Sequence, residues 1–291
     1  MPELPEVETV RRGLAELLPG RKIIGVTTTY DRSFPNAVQD VEAFLIGAEV
    51  NSVKRRAKVL MIELSTNYTL LIHLKMTGQL VYRADDGGRF GAGHPNDSLI
   101  GDLPDRSTRV SLRLNGAQLF FNDQRRFGWM RLLPTPEVPN IDFFKKVGPE
   151  PLAADFLPAD FRERLKRRAN TTIKAAILDQ TVVAGIGNIY ADEGLWGAKI
   201  HPSTKVKDVS VIKLNALYQS LRDVLELSIE KGGSSDRNYV DAEGKRGSYL
   251  TFANVFRREG QACPRCGREI IKTRVAGRGT HVCLYCQKEP K

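Results

Sequence analysis

Apolar residues near the start of the chain recur every three or four positions: Val7, Val10, Leu14 and Leu17. This spacing predicts an amphipathic helix that ends at Pro19-Gly20. From residue 22 to about residue 133 the pattern changes to short β-rich runs separated by turn residues, among them 22–30, 59–64, 68–73 and 118–122. We therefore expect a β-sandwich preceded by one helix.

The second half of the chain has a different pattern. Residues 134–151 contain five prolines, which favours a connection between domains. Helical spacing of apolar residues then covers 161–180 and 209–231, and two glycines end the longer stretch. The polar residues 234–249 predict a surface loop, as do residues 84–106, where five glycines occur with little periodicity. The second domain is therefore expected to be helical.

Length and charge narrow the class of protein. A chain of 291 residues can bury two modest cores. Its 44 Lys and Arg exceed its 34 Asp and Glu, and the formal net charge of +10 favours a polyanionic partner. Nucleic acid fits, because each phosphate neutralised by Lys or Arg releases counterions. A ribosomal protein or a protein of anionic membrane surfaces would fit the charge as well.

The sequence predicts neither a membrane segment nor an export signal. Its apolar runs fall short of the roughly 18 residues that a spanning helix needs. The acidic opening from Met1 to Glu6 lacks the basic start of a signal peptide. We expect a cytoplasmic protein with no membrane partner, in a compartment where disulfides are rarely kept.

The four cysteines form two Cys-x-x-Cys pairs near the C-terminus, separated by sixteen residues: Cys263 and Cys266, then Cys283 and Cys286. This is the spacing of a four-thiolate zinc site, and we predict one structural Zn²⁺. Two disulfides or unused thiols are disfavoured, because the module is too small to fold on its own core and zinc would supply the missing folding energy. Six basic residues of the module could follow a DNA groove or form an ordinary solvated face: Arg265, Arg268, Lys272, Arg274, Arg278 and Lys288.

The N-terminus offers a nucleophile if Met1 is removed, which the small second residue permits. Pro2 would then carry a secondary α-amine, whose reference pKa of about 8 leaves an appreciable neutral fraction at physiological pH. Attack of this amine on a sugar C1′ gives an iminium cation. The cation acidifies the neighbouring carbon, so that the 3′ and then the 5′ phosphate can be eliminated. Taken alone, a Met-Pro start usually marks only a processed terminus.

The octapeptide Met1-Pro2-Glu3-Leu4-Pro5-Glu6-Val7-Glu8 resembles the opening of the formamidopyrimidine-DNA glycosylases. Further motifs occur in the order of that family, so the resemblance covers essentially the whole chain. It implies that Pro2 is a Schiff-base nucleophile, that Glu3 is the acid/base that helps to open the sugar, and that Glu6 is a supporting carboxylate. These glutamates could also stabilise the positive end of a helix, and both roles are compatible.

A basic segment at residues 53–58 resembles the family segment whose final lysine contacts phosphate and assists β-elimination. The resemblance implies this role for Lys58. An exposed cationic edge strand is the alternative.

Two loops, at residues 73–78 and 122–128, resemble those that fill the gap left by a flipped nucleotide. The resemblance implies that Met76 and Phe127 are the wedges and that Arg125 contacts the orphaned cytosine. In isolation, Met76 and Phe127 would more often be core residues of a sandwich. His73, in the first loop, is expected to pack within its strand.

Residues 185–193 follow one predicted helix and open another, which resembles the helix-two-turn-helix of the family. Its glycines let backbone amides approach phosphate at a helix N-terminus, although many helix corners use such a turn. Asn188 is the implied contact to the lesion-flanking phosphate, and Lys174 is a further one. Arg278 matches the zinc-finger arginine assigned to phosphate binding and δ-elimination. The loop at 234–249 corresponds to the family's loop over the flipped purine.

Some segments depart from the family pattern. Residues 84–106 are longer than is usual, and a histidine-containing run expected before the next strand is replaced by Arg106-Ser107-Thr108-Arg109. The family's DNA contact there would fall to Ser107 or Arg109, or be lost. Phe256-Arg257 stands where a tyrosine and a glycine are frequent.

These observations together predict a multidomain α+β protein. Its expected parts are a β-sandwich with an N-terminal helix (1–133), a linker (134–151), a helix-two-turn-helix domain (152–232), a lesion-covering loop (233–249) and a zinc finger (250–291).

The expected function is that of a base-excision repair DNA glycosylase. It would remove 8-oxoguanine and formamidopyrimidines from double-stranded DNA and cleave the strand by β,δ-elimination, as a monomer in the bacterial cytoplasm at the nucleoid. An endonuclease VIII-like enzyme for oxidised pyrimidines is one alternative, but such enzymes usually have glycine in place of Leu4. A DNA-binding zinc protein without catalysis is the other, and intact Pro2, Glu3 and Lys58 argue against it.

Overall fold

The computed structural model describes residues 2–94, 96–233 and 249–290. They divide into two compact units. The first contains residues 2–145 and 231–233, and the second contains 146–230 and 249–290. In these ranges, none of the helices combines the length and the apolar character that crossing a membrane requires.

Two antiparallel sheets and the helices packed with them form the described part of the first unit. Its longer helices are α1 (Leu4–Leu17) and α2 (Val38–Phe44). The strands are β1 (Ile23–Thr28), β2 (Val50–Arg56), β3 (Val59–Leu64), β4 (Tyr68–His73), β5 (Gly78–Ala84), β6 (Arg89–Gly93), β7 (Thr108–Leu114), β8 (Ala117–Asp123) and β9 (Trp129–Pro134). One sheet has the order β1-β7-β8-β5-β6 and the other β2-β3-β4-β9.

The core of this unit explains why the pattern produces a sandwich. Alternate residues of each strand point to one face of a sheet, and the inward ones of both sheets join a single buried cluster that includes Leu60, Ile72, Leu112 and Phe121. The apolar stripe of α1, including Val10, packs into the same cluster. The predicted helix and sandwich are confirmed.

The predicted loop at residues 84–106 is partly wrong. Residues 89–93 form β6, an edge strand that pairs with β5. Phe90 is buried and packs against Gly13 of α1, where any Cβ would overlap the Phe90 ring. The strand escaped the pattern because Phe90 is its one large apolar residue, while Gly91, Ala92 and Gly93 carry almost no side chain.

The second unit is mainly helical, as expected. It contains α4 (Pro158–Lys166), α5 (Ile173–Leu178), α6 (Asn188–Gly197), α7 (Val211–Glu230), α8 (Tyr249–Phe252) and the hairpin of β10 (Ile271–Val275) with β11 (Arg278–Val282); α3 (Asp142–Lys146) lies at the boundary of the units. The helical stretch predicted at 161–180 is interrupted. Thr172 caps α5 by accepting a hydrogen bond from the Ala175 N–H at 3.3 Å, so a new helix begins there.

Candidate functional site

The start of α1 carries a compact acidic group beside the N-terminal proline. Pro2 is buried, and Glu3 and Glu6 are only 2% and 5% exposed. The Glu3 N–H donates to Glu6 Oε2 at 2.7 Å, which ties the two residues together across the first helical turn. The arrangement places two carboxyl groups close to the residue whose nitrogen would become the chain terminus.

Gly233 lies against this acidic group, within the first unit. It has a φ of +88°, and a Cβ built on it would lie 3.2 Å from both Cγ and Oε1 of Glu6. Glycine is therefore needed there both for backbone conformation and for space. The predicted lesion-covering loop begins with this residue, and its part at 234–248 lies outside the described residues.

Lys58 sits at the tip of the β2–β3 hairpin. Arg56 pairs with Val59, so Ala57 and Lys58 are the two turn residues, and Ala57 has a φ of +53°. Lys58 is only 6% exposed. The Arg55 guanidinium on the same hairpin donates to Glu8 of α1 at 3.1 Å. This ion pair joins the lysine-bearing hairpin to the helix that carries Glu3.

Strand register brings His73 next to Lys58, because Val59 pairs with His73 in the β3–β4 ladder. Burial, followed by the charges of Lys75 and Lys58, lowers the pKa of His73 to about 3. Its Nδ1 accepts the Lys75 N–H at 3.0 Å, and its ring lies 5.7 Å from that of Trp129. His73 is thus a neutral packing residue, as predicted.

The loops at 73–78 and 122–128 are braced against each other by Thr77 and Asp123. The Thr77 hydroxyl donates to Asp123 Oδ1. The Arg125 N–H reaches Thr77 Oγ1 at 3.0 Å, and the Gly128 N–H reaches Asp123 Oδ2 at 2.6 Å. One buried carboxylate therefore fixes both loops as a single platform.

This platform presents an aromatic ring and a cation to solvent. Phe127 is 54% exposed, and the Arg125 guanidinium lies 4.9 Å from the centre of its ring. Met76 is half-buried in the facing loop. Neither apolar residue belongs to the sandwich core, so the core alternative for Met76 and Phe127 is wrong.

In the second unit, a glycine turn leads into α6. Gly185 has a φ of +79°, and its N–H donates to Gln180 Oε1 at 2.9 Å. Gln180 Nε2 donates in turn to the Ile186 carbonyl at 2.8 Å. Asn188, the first residue of α6, donates from Nδ2 to the carbonyl of Gly279 at 3.0 Å. The turn is therefore attached to the β10–β11 hairpin.

The tip of the β10–β11 hairpin exposes Arg278. The two turn residues, Ala276 and Gly277, have φ of +50° and +74°, as a tight two-residue hairpin requires. Arg278 follows them directly and is exposed. The carbonyl of the next residue, Gly279, accepts a hydrogen bond from Asn188, which restrains the position of Arg278.

The four cysteine sulfurs converge, and all lie within 4.8 Å of one another. The Cys263–Cys286 and Cys266–Cys283 Sγ distances are 3.9 and 3.5 Å. A tetrahedral zinc with Zn–S bonds of about 2.3 Å needs sulfurs roughly 3.8 Å apart. Burial raises the pKa of Cys263, but hydrogen bonds from the Trp196 indole and from backbone N–H groups outweigh it and lower that pKa to about 6. Burial and the neighbouring thiols raise the pKa of Cys283 and Cys286, so Cys263 is the more readily ionised of these three thiols.

Comparisons with known proteins assign all three parts of the chain. Residues 1–130 match the formamidopyrimidine-DNA glycosylase N-terminal domain, residues 147–239 match the formamidopyrimidine-DNA glycosylase H2TH domain, and residues 260–288 match the zinc finger found in FPG and IleRS. The chain belongs to the formamidopyrimidine-DNA glycosylase family.

Relatives and solved structures agree over the full length. The formamidopyrimidine-DNA glycosylase of Pelotomaculum thermopropionicum is 41% identical over 99% of each chain, and that of Lactococcus lactis subsp. cremoris is 38% identical over 99% of this chain and all of its own. The structure of a Lactococcus lactis FPG variant with Fapy-dG DNA covers 99% of this chain and 100% of its own, with TM-score 0.87 and 36% identity. A MutM complex with carbocyclic 8-oxo-G DNA matches with TM-score 0.86, the same identity and the same coverage.

Membership in the formamidopyrimidine-DNA glycosylase family confirms the predicted cofactor. The zinc-finger match and the convergence of Cys263, Cys266, Cys283 and Cys286 assign one structural zinc to the C-terminal module. The family and the fold class predicted from the sequence are likewise confirmed.

The predicted phosphate contact at Lys174 needs correction. Lys174 is fully buried, with its Nζ 2.6 Å from Asp192 Oδ1 and 2.7 Å from Thr280 Oγ1, and it donates to the Gly279 carbonyl at 3.1 Å. A side chain with three such partners and no exposed surface does not present its charge to a ligand. In this member of the formamidopyrimidine-DNA glycosylase family, Lys174 supports the hairpin that carries Arg278.

In the run that replaces the family histidine, Ser107 and Arg109 are buried, whereas Arg106 is exposed. Arg109 is 6% exposed and donates from Nε to the Asp123 carbonyl at 2.8 Å. The Ser107 hydroxyl bonds to Asp105 Oδ1 at 2.7 Å. Both side chains are thus committed to internal hydrogen bonds.

Sequence reasoning missed the carboxylates that organise the site. Asp123 braces the two loops, Asp192 holds Lys174, and Glu193 accepts the Val255 and Phe256 N–H groups at 2.8 Å each. The adjacent acids Asp192 and Glu193 occur within an otherwise apolar stretch of α6, which is a clue to buried polar partners. Asp123 offered no comparable clue, since an aspartate at a strand end is common in turns.

Proposed function

We propose that this chain is a base-excision repair DNA glycosylase that removes oxidised purines, including 8-oxoguanine and formamidopyrimidines, from duplex DNA. It also cleaves the resulting abasic site by β,δ-elimination. The observation that carries the proposal is the burial of Glu3 and Glu6 beside Pro2, at the end of a helix joined to the Lys58 hairpin. Solved relatives bound to Fapy-dG, abasic and 8-oxo-G DNA support it.

The reaction begins at the nitrogen of Pro2 after Met1 has been removed. This secondary amine attacks C1′ of the damaged nucleotide, so that the new N–C1′ bond forms and the C1′–base bond breaks; the base departs with the proton that the amine loses. Glu3 protonates the ring oxygen so that the sugar opens to an iminium ion. Glu6, which accepts the Glu3 N–H, positions Glu3 for this proton transfer.

Strand cleavage follows from the electron-accepting character of the iminium ion. Loss of a proton from C2′ expels the 3′ phosphate, and a second elimination expels the 5′ phosphate. Lys58 stabilises phosphate charge during the first step, and Arg278 does so during the second. The zinc supplies no chemistry in this sequence of steps; it folds the module that presents Arg278.

Extrusion of the target base requires side chains that replace it in the duplex. We assign Met76 and Phe127 to this wedge and Arg125 to the orphaned cytosine. The braced platform supports the assignment, because its exposed ring and cation belong to loops fixed by Asp123. Asn188 binds the flanking phosphate from the N-terminus of α6.

Each part of the chain has a separate role in this proposal. We assign catalysis to the domain at 1–133, DNA backbone binding to the helix-two-turn-helix domain at 152–232 and the zinc finger at 250–291, a connecting role to the linker at 134–151, and coverage of the flipped purine to residues 233–249. We infer that the protein acts on double-stranded DNA as a monomer, in the bacterial cytoplasm at the nucleoid.

Single-turnover excision on matched duplexes tests the proposed substrate class. The duplexes carry 8-oxoguanine opposite cytosine, a formamidopyrimidine, or an oxidised pyrimidine at the same position. We expect faster release of both purine lesions than of the pyrimidine, together with strand cleavage. Preferential release of the pyrimidine would replace the purine assignment with the endonuclease VIII-like one, and DNA binding without release of any base would indicate a non-catalytic zinc protein.

A further inference from the structure

A strongly basic cavity lies in the second unit, outside the site described above. It has a volume of about 250 Å³ and is lined by Lys146, Arg164, Arg167, Arg168, Thr181 and Val182. Four of these six described residues are cations, and none is a carboxylate. Such a concentration of one charge sign attracts an anion.

Arg168 is neutralised locally by an acidic neighbour. Arg168 donates from Nε to Asp179 Oδ2 at 2.9 Å. Burial raises the pKa of Asp179, but hydrogen bonds from Thr181 and Arg168 outweigh it and hold that pKa below its usual value, so the carboxylate stays charged. Arg164 donates only to a backbone carbonyl, that of Thr181 at 3.3 Å, so its charge is not compensated by this contact. Arg164 and Arg167 therefore contribute positive charge to the lining besides the Arg168–Asp179 pair.

The cavity lies on the same chain segment as the glycine turn that precedes α6. Thr181 and Val182 line it, and the adjacent Gln180 bonds through its side chain to Gly185 and Ile186. The seven Cα–Cα steps from Thr181 to Asn188 can span at most about 25 Å. This is the length of roughly seven base pairs of duplex.

Exposure of the lining suits a long polyanion that passes along the surface. Lys146, Arg167 and Thr181 are exposed, whereas Val182 forms a buried floor. Guanidinium groups bind phosphate oxygens through paired N–H donors, which makes the arginines suitable partners for a phosphodiester. Because these side chains are exposed, the sugar-phosphate backbone of DNA has room to enter and leave the cavity.

We propose that this cavity, defined by its six lining residues, binds a phosphate of duplex DNA within about seven base pairs of the phosphate at Asn188. The proposal rests on the proposed function, since it requires that Asn188 contacts DNA. It adds a second anchor on one flank of the lesion and lengthens the stretch of duplex that the protein contacts.

The test compares an Arg164→Gln/Arg167→Gln chain with an Arg162→Gln chain. Arg162 lies on the same helix, does not line the cavity and donates to Asn215 at 2.5 Å. Arg168 is left unchanged because its pair with Asp179 supports the turn. Melting curves of the three proteins establish that each is folded.

Affinity is measured by fluorescence anisotropy on duplexes that contain a tetrahydrofuran abasic analogue. One duplex extends about four base pairs on each side of the analogue. Two longer duplexes extend about twelve base pairs on one side only, one in each direction, which exceeds the roughly seven base pairs that the chain between the cavity and Asn188 can span. We expect the wild-type chain and Arg162→Gln to gain affinity from one of the two extensions. The double variant should lose that gain in affinity, which we expect to be roughly 3- to 10-fold. On the extended duplex, the slope of log affinity against log salt concentration should become less steep by about 0.9 for each phosphate contact that is lost.

Three results would overturn the proposal. The double variant could match the wild type on every duplex, or it could be equally weakened on short and extended duplexes. Inorganic phosphate could also bind the cavity in a titration while duplex length has no effect, which would indicate a small-anion site. Borohydride trapping on a duplex of the short length that carries 8-oxoguanine in place of the tetrahydrofuran analogue separates this outcome from failure of the proposed function, because only the latter abolishes trapping by the wild-type chain.

Discussion

Burial makes the carboxyl groups beside Pro2 unusual among the acidic residues of α1. Glu3 is 2% exposed and Glu6 is 5% exposed, whereas Glu16 on the same helix is exposed. A buried carboxyl group without a task costs folding free energy, because its charged form is poorly solvated. Its retention next to a potential nucleophile is the expected mark of acid–base chemistry.

We expect Glu3→Gln to lower the single-turnover rate of base excision by a factor on the order of 10² to 10⁴, because the amide cannot donate an acidic proton. Quenched-flow measurement on the 8-oxoguanine duplex gives the rate. Glu16→Gln, an exposed change on the same helix, should leave it unaltered. Equal rates for Glu3→Gln and wild type would remove Glu3 from the mechanism.

His73 provides a second residue-scale prediction, since burial and the charges of Lys75 and Lys58 lower its pKa to about 3. An unfolded histidine binds its proton near about pH 6.5. The unfolded state therefore takes up this proton before the folded state does. The stability that His73 contributes is present above that pH and is lost as the pH falls toward the folded pKa.

When the pH is lowered from 7 to 5, we expect the unfolding free energy of the wild-type chain to fall by about 2 kcal/mol more than that of His73→Gln. Urea unfolding at both pH values, on both proteins, measures the difference. An identical pH dependence in the two proteins would show that His73 titrates normally in the folded state.

At the scale of secondary-structure elements, buried charges attach the hairpin to the helices of the second unit. Asp192 of α6 binds Lys174 of α5 through Oδ1 and accepts the His281 N–H of β11 through Oδ2 at 2.9 Å. Lys174 and Asn188 both donate to Gly279, next to Arg278. The position of the exposed arginine thus depends on Asp192 and Lys174, which are fully buried, as well as on Asn188.

Asp192→Asn should leave the buried Lys174 charge uncompensated and destabilise the second unit by roughly 3–5 kcal/mol. This corresponds to a fall in melting temperature on the order of 10 °C. Asp223→Asn, an exposed change on α7, should alter it very little. Replacement of both charges, as Lys174→Met/Asp192→Asn, should recover part of the loss; failure of the single change to destabilise would contradict the account of the pair.

Elements were predictable where one face carries an apolar pattern and harder to predict where partners are distant in sequence. The spacing in α1 and the runs in β3 and β4 were sufficient for the sequence prediction. The strand β6 was missed because Gly91 and Gly93 provide no pattern, although backbone pairing with β5 forms it. The Thr77–Asp123 brace joins residues 46 positions apart, so only the folded chain shows it.

For the whole molecule, the two units divide the chemistry. The first contains Pro2, Glu3 and Lys58, and the second contains Asn188 and Arg278 with the zinc module. The sequence predicts roles for these residues through short, local motifs, and the roles themselves belong to the proposed function. The formal charge of +10 indicated only a polyanionic partner, since a total charge does not say where the cations lie.

Removal of zinc should unfold the C-terminal module, in which two of the ligand cysteines, Cys263 and Cys283, form a small buried cluster with Val255 and Ile270. We expect a thiol reagent to release one zinc per chain and the metal-free protein to lose affinity for lesion DNA, because the Arg278 hairpin is no longer held. A colorimetric zinc assay and anisotropy on the same sample measure both. Undiminished affinity after complete zinc release would contradict this dependence.

By our proposal, the nitrogen of Pro2 forms the covalent intermediate. Borohydride trapping on an 8-oxoguanine duplex, followed by mass spectrometry of the digested adduct, tests it most directly. A preparation that retains Met1, in which this nitrogen is an amide, serves as the control. We predict an adduct on the N-terminal peptide at Pro2 and none in the Met1-retaining protein; an adduct on a lysine, or an equal yield in both preparations, would contradict the account.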